Sequence, residues 1–235
     1  MISVCVAAFN GEKYIEEQIL SVLRNLDSQD EIIISDDGSS DRTRRIVDDL
    51  AEKDRRIRII DGPRKGLIKN FENAIVHSKG DIIFLCDQDD VWKDNKVKTV
   101  LDIFGNTDCT LVMHDACIVD ANLRICGCSF FEFKKCKKGY WRNLIKNSYI
   151  GCCMAFKRSI LDYAIPFPDN IPMHDQWIGL LSERVGKVEF CNEQLLLYRR
   201  HSNNASEMTH LPLGEMVKNR AIMLKCINKR IREKK

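Results

Sequence analysis

The chain has 235 residues, 44% hydrophobic and 30% charged, enough to bury a sizeable core in one α/β domain with an appendage. Its 37 basic and 34 acidic residues leave a net charge of +3, yet eight Lys or Arg against two Glu fall between Glu215 and Lys235. The body is therefore mildly acidic, which argues against a nucleic-acid partner, and no run of eighteen apolar residues is present to span a membrane.

Met1 to Val6 lacks the length and basic flank of a signal segment and reads as the start of a first strand, Ile2 to Ala8. Several of the eleven cysteines (Cys5, Cys86, Cys152, Cys153) sit inside apolar runs, which points to reduced, buried thiols in a cytosolic protein. Cys126, Cys128 and Cys136 are close in sequence, but no Cys-x-x-Cys pair supports structural zinc.

Phe9-Asn10-Gly11 is a turn, after which Ile15, Ile19, Val22, Leu23 and Leu26 recur at helical spacing. Glu31 to Ser35 reads as a second strand ending in Asp36-Asp37-Gly38-Ser39-Ser40-Asp41, with Ser40 or Asp41 placed to cap the next helix. Ile57 to Ile60 is a third strand, and Leu67, Ile68, Phe71, Ala74 and Ile75 mark a third helix. Ile82 to Cys86 is a continuous apolar run, the pattern of a central strand covered on both faces, and it leads into Asp87-Gln88-Asp89-Asp90-Val91-Trp92. This alternation predicts a parallel sheet with right-handed crossovers. Ligands in such sheets lie outside the carboxyl ends of the strands, so Asp36-Asp37 and Asp87 to Asp90 are expected on one rim.

Beyond Trp92 the pattern predicts a helix through Val97, Val100, Leu101 and Phe104 and a strand at Thr110 to Met113. Residues 121–148 show no period and read as an irregular insertion. A strand at Tyr149 to Phe156, a helix at Asp175 to Val185 and two short strands at Lys187 to Phe190 and Leu195 to Tyr198 follow. In the basic tail, Met216, Met223, Ile227 and Ile231 line one helical face. That stripe suits either an anionic membrane surface or packing against the domain or another subunit.

Two aspartates separated by one residue can both reach one hard cation, and their oxygens suit Mg²⁺ or Mn²⁺. The plainer alternative is a solvated acidic turn before a helix. An aspartate on the other part of the rim can accept the imide N–H of uracil or thymine, so the two clusters together describe a nucleoside-diphosphate site. The glycine patterns of a dinucleotide fold and of a P-loop are both absent.

Val4 to Asn10 with Gly11-Glu12-Lys13-Tyr14-Ile15, Ser35 to Asp41 and Gly80 to Trp92 together resemble family 2 glycosyltransferases of the GT-A fold. Ile150 to Phe156, Met173-His174-Asp175-Gln176-Trp177 and Leu197-Tyr198-Arg199-Arg200-His201 extend the likeness to bacterial polysaccharide enzymes, rhamnosyltransferase-like members among them. The resemblance covers about residues 2–205 and implies a Rossmann-like, mostly parallel sheet flanked by helices. It divides the chain into a transferase domain, 1–205, and a basic helical extension, 206–235.

The resemblance also implies roles. Phe9 lies against the nucleobase and Asp37 binds its N3–H. Asp89 is the direct ligand of Mn²⁺ or Mg²⁺, Asp87 serves the ribose or the metal, and His201 completes the metal shell. Lys69 and Asn70 touch the nucleotide or donor. Asp175, at a helix start, is the general base of an inverting transfer; the plainer reading is a helix cap. Arg199 and Arg200 are placed to neutralise phosphate charge. His174 is only a neighbour of the base, and His77, His114 and His210 have no role. The Gln-x-x-Arg-Trp motif of processive synthases is missing, which implies single-sugar transfer.

The reading is thus a cytosolic, metal-dependent, inverting transferase using a UDP- or dTDP-sugar. Its expected acceptor is a lipid-linked glycan of surface polysaccharide assembly. Peripheral contact with the inner membrane face through the tail, and a homo-oligomer, are left open. A sugar nucleotidyltransferase would need a Gly-rich, Arg-containing loop after the first strand; against a pure polyanion- or membrane-binding module stand the mildly acidic body and the fact that charge runs are usually solvated faces.

Overall fold

A computed structural model of the chain describes residues 1–201 and 212–234. Its first half alternates strand and helix: β1 (Ile2–Ala8), α1 (Ile15–Leu23), β2 (Glu31–Asp36), α2 (Thr43–Ala51), β3 (Ile57–Asp61), α3 (Leu67–His77) and β4 (Ile82–Asp87). All seven residues of β1 are buried, as its unbroken small and apolar run requires of a strand covered on both faces. Ile15, Ile19 and Val22 of α1 and Phe71, Ala74 and Ile75 of α3 supply the covering faces.

The strand order begins β3-β2-β1-β4, with every pair parallel. Ala8 of β1 lies opposite Asp36, and Ala7 opposite Asp87. This register carries both acidic clusters to one rim, on either side of the end of β1.

The second half is built differently. It runs β5 (Val91–Trp92), α4 (Lys96–Asn106), β6 (Leu111–Val119), β7 (Ile125–Ser129), α5 (Phe130–Lys134), α6 (Tyr140–Ile145), β8 (Met154–Lys157), α7 (Leu161–Ala164), α8 (His174–Val185), β9 (Val188–Arg199) and α9 (Leu213–Glu233). The sheet continues β4-β8-β6-β9-β5, with β7 on β6. Strand β8 is antiparallel to β4 and β6, β6 is parallel to β9, and β5 is antiparallel to β9. The parallel sheet expected from the sequence thus holds from β3 to β4 and turns mixed beyond.

The local expectations for this half need correction. The strand expected at Thr110 to Met113 extends to Val119. That expected at Tyr149 to Phe156 is a single 3₁₀ turn, Gly151–Cys153, followed by β8. The two short strands before His201 are one, β9, whose pairing with β6 steps from Cys191 to Gln194. Residues 121–148 contain β7, α5 and α6, each too short to show a period.

Helix α9 packs against α6 and α8. Met223 and Ile227 have no exposed surface, and Arg230 donates to the carbonyls of Tyr163 and Pro166. The centre of the apolar stripe is therefore turned into the domain, with half-buried Ile231 packed against the core and Met216 half-buried at the near end. Among the described residues no helix is long and apolar enough to cross a membrane. The expected boundary at 205/206 and His210 lie outside the described residues.

Candidate active site

The loops that follow β1 and β2 are laced together before any ligand is considered. Asn10 N–H donates to Ser39 Oγ, Gly11 N–H to Thr43 Oγ1, and Ser40 N–H to Asn10 Oδ1. Asp41 accepts from the backbone N–H and the hydroxyl of Thr43, the first residue of α2, one position ahead of Arg42 at the helix boundary. Gln88 reaches across from the acidic turn, accepting from Phe9 N–H at 2.9 Å and donating to Phe9 C=O at 3.0 Å. A Cβ on Gly11 would stand 2.3 Å from Gln88 Oε1, so that bridge requires glycine at 11.

Phe9 and Asp37 line a cavity of about 500 Å³ at the rim, and Phe9 leaves 55% of its surface exposed there. The Asp37 carboxylate accepts the N–H groups of Arg64 and Gly66 at 2.6 and 2.8 Å, which fixes its plane. A carboxylate retains lone pairs for a further donor. Asn70 also lines the cavity, but its amide nitrogen donates to the carbonyls of Ala8 and Ser35, tying β1 to β2. Lys69 is not brought to this cavity. It donates to the Phe167 carbonyl and pairs with Glu72 at 2.8 Å and Asp169 at 3.0 Å.

The acidic turn from β4 to β5 forms the floor. His201 Nε2 lies 2.9 Å from Asp89 Oδ2, and its ring stacks on Tyr14 with centroids 4.9 Å apart. Arg199, only 2% exposed, latches the turn: its backbone N–H donates to Asp90 Oδ1, and its side chain donates to the carbonyls of Asp89 and Ala121 and to Glu17. The phosphate role expected of Arg199 is thereby corrected, because its guanidinium is occupied beneath the turn. Arg200 donates to the Tyr198 hydroxyl.

Behind the floor lies Lys96, fully buried, 2.8 Å from the Cys152 carbonyl and 3.9 Å above the Trp92 ring. Burial pulls its pKa down, and the nearby Asp90 charge is among the groups that oppose this. Burial raises Asp87 to about 7, and the Asp89 charge adds to the shift. Burial also raises Asp89, against the pull of His201, and holds Asp90 well above the usual range. Asp90 Oδ2 has no hydrogen-bond partner among the described residues.

Crowded, desolvated carboxylates with an unsatisfied oxygen are the signature of a site short of positive charge. The ligand atoms of Asp87, Asp90 and Cys152 fall within 4.8 Å of one another, the one such group of three among the described residues. The carboxylate oxygens of Asp87 and Asp89 are hard ligands of the kind that Mg²⁺ or Mn²⁺ takes, whereas Asp89 and His201, 2.9 Å apart, stand outside that group of three.

Asp175 lines the same cavity from the first turn of α8. Burial lifts its carboxyl to about 7, the Asp87 charge adds to this, and the N–H groups of Gln176 and Gly151 oppose it. His174 stacks on Phe71 at 4.2 Å, and burial holds it near 3, so the ring is neutral. A Cβ at Gly151 would lie 3.0 Å from His174 Nε2, which keeps that wall small. The cavity thus gathers Phe9, Asp37, Asn70, Asp87, Asp89 and Asp175.

Residues 3–164 match the family model described as glycosyl transferase family 2. The chain belongs to glycosyl transferase family 2.

Its relatives include an uncharacterized glycosyltransferase of Nostoc sp., 27% identical over 86% of this chain and 66% of that protein. Another is the Escherichia coli UDP-Glc:alpha-D-GlcNAc-diphosphoundecaprenol beta-1,3-glucosyltransferase WfgD, 27% identical over 78% of this chain and 70% of that protein. Among solved structures, S. aureus TarS 1-349 in complex with UDP-GlcNAc superposes with a TM-score of 0.75 at 18% identity, covering 95% of this chain and 66% of that one. The fold is therefore GT-A, and this family 2 chain spans about two thirds of the length of these relatives.

Three features of this cavity and its floor are not legible in the sequence pattern. Arg64, in the left-handed region at φ 57°, lines the cavity beside Asp37. Gln88 clamps Phe9, and Lys96 sits under the floor. The turn Gly62-Pro63-Arg64-Lys65-Gly66 was a signal for the first; the other two are polar residues whose burial depends on distant partners.

Proposed function

We propose that the chain transfers one sugar from a UDP- or dTDP-sugar, with inversion, to a hydroxyl of a lipid-linked glycan in surface-polysaccharide synthesis. The observation that carries this reading is the single cavity flanked by Asp37, the Asp87–Asp89 turn and Asp175. Phe9 offers an exposed ring to the base and Asp37 a fixed acceptor to its imide N–H. Arg64 lies on the same side with a cation for the diphosphate.

Asp89, Asp87 and His201 are the residues that would hold Mn²⁺ or Mg²⁺. Such a cation supplies charge stabilisation to a departing diphosphate. Asp175 faces the same space, and at about 7 its carboxyl is matched to removing a proton from an acceptor hydroxyl near neutral pH. Neutral His174 beside it adds no competing positive charge. The UDP-glucose and diphosphoundecaprenol in the name of WfgD support a nucleotide-sugar donor and a lipid-linked acceptor here. Asn70 acts by tying the rim together, and Lys69 has its partners elsewhere.

A panel of nucleotide sugars tests the reading. With Mn²⁺ or Mg²⁺ present, the intact chain should hydrolyse a UDP- or dTDP-sugar slowly, and Asp89→Ala should lose the metal-dependent part. Consumption of a purine nucleotide sugar alone, or turnover in Asp89→Ala that persists under chelation, would overturn it.

A further inference from the structure

With the centre of the α9 stripe buried, a different surface stands out. Trp141 and Ile145 are one turn apart on α6 and are 65% and 62% exposed. Leu213 and Val217, one turn apart on α9, are 76% and 59% exposed. Arg220, the next position on that α9 face, donates through Nε and Nη2 to the Ile145 carbonyl and joins the two pairs. Four large apolar side chains on one joined surface stay largely open to solvent, Trp141 meeting only the Tyr140 ring edge-on at 5.1 Å, where isolated exposed residues would need no explanation.

Charge surrounds this surface. Between residues 130 and 150 there are six cations (Lys134, Lys135, Lys137, Lys138, Arg142 and Lys146) and one acid, Glu132. Of the six, only Lys138 forms an ion pair among the described residues, with Glu189. Arg142 donates to the Lys135 carbonyl, which binds this basic loop to α6, and Lys218 follows Val217 on α9.

We propose that this α6–α9 surface docks on an anionic lipid bilayer, with Trp141 and Ile145 inserted at the interface. An amphipathic aromatic flanked by cations is the composition that interfacial contact favours. Pairing of the same surface on two copies would bring like charges together, which disfavours a homodimer through it. Position supplies the purpose. Helix α6 packs on α8, and Gln176, which follows Asp175, donates to the Asn143 carbonyl of α6 at 2.9 Å. The docked surface therefore lies one helix away from the carboxylate assigned as base, where a hydroxyl on a lipid carrier has to arrive. The purpose rests on the lipid-linked acceptor proposed above, whereas the test uses neither donor nor acceptor, so either can fail without the other.

The molecule carries its own probe. Trp92 and Trp177 are 1% and 0% exposed, which leaves Trp141 as the one tryptophan whose surroundings a surface contact can change. The intact chain is mixed at low salt with vesicles of phosphatidylglycerol and phosphatidylcholine bearing brominated acyl chains, and separately with phosphatidylcholine alone. Expected are a blue shift and quenching of Trp141 with the anionic vesicles only, reversed by salt. Trp141→Phe should remove the signal while co-sedimentation persists. Lys135→Gln, Lys137→Gln and Lys146→Gln combined should weaken vesicle affinity by about a hundredfold. The proposal is overturned by absence of vesicle binding, by binding that leaves Trp141 unquenched, or by a solution dimer that buries Trp141.

Discussion

Asp175 owes its proton affinity mainly to burial and secondarily to the Asp87 charge, and this has consequences for both rate and stability. A general base must be ionised, so turnover should rise with pH through about 7 and level off above it. Stability runs the other way. Between its ordinary value of 3.8 and about 7, the folded carboxyl keeps a proton that the unfolded chain has released. The protein therefore loses stability from this group as pH rises across that window, about 1.4 kcal/mol per pH unit and at most about 4 kcal/mol in all. Asp175→Asn cannot ionise and can still accept from Gln176 N–H. Its melting temperature should gain on the parent between pH 5 and pH 8 by several degrees. An unchanged difference across that range would show that the carboxyl is not held protonated.

At the scale of elements, the site depends on β9 meeting the acidic turn. Pairing of Val91 with Leu197 brings Arg199 under Asp89 and His201 beside it. Arg199→Lys keeps the charge but loses the fork that reaches the carbonyls of Asp89 and Ala121 together. It should cost roughly 2–3 kcal/mol in urea unfolding and reduce turnover along with it. A variant with the parent's midpoint would remove the latch from the account. This latch was not legible in the sequence, where an arginine beside His201 looks like a ligand for phosphate. Strands β1, β2 and β4 were legible because each carries an apolar run long enough to be covered on both faces, and β3, a half-buried edge strand, through its three isoleucines. Strand β9 was not, because Cys191-Asn192-Glu193-Gln194 breaks its period where its pairing with β6 shifts. Asp37, Asp87, Asp89 and Asp175 stand at strand ends and a helix start, where turns and helix caps also place acids, so the sequence pattern did not decide between the two readings; the fold brings all four to one cavity. Lys96 could not be picked out, since only the tertiary fold makes a first-turn lysine the buried neighbour of Asp87 and Asp90.

At the scale of the molecule, α9 is part of the domain. Met223 and Ile227 are core residues, and Arg230 lies 5.4 Å from the Trp177 ring while its side chain donates to two carbonyls before α8. Burying two such side chains contributes about 3–6 kcal/mol before ordering entropy is subtracted. Truncation after Pro212 should therefore lower the melting temperature by about 10 °C or more, and should not merely remove an accessory tail. Unaltered melting would return α9 to the status of an appendage. The claim that unites these scales is that one cavity both holds the donor and deprotonates the acceptor. It is tested most directly by measuring nucleoside-diphosphate affinity and turnover side by side in Asp175→Asn with Mn²⁺ present. Affinity should stay within about twofold of the parent while turnover falls by roughly two to four orders of magnitude. Parental turnover, or loss of nucleotide binding with the fold intact, would contradict it.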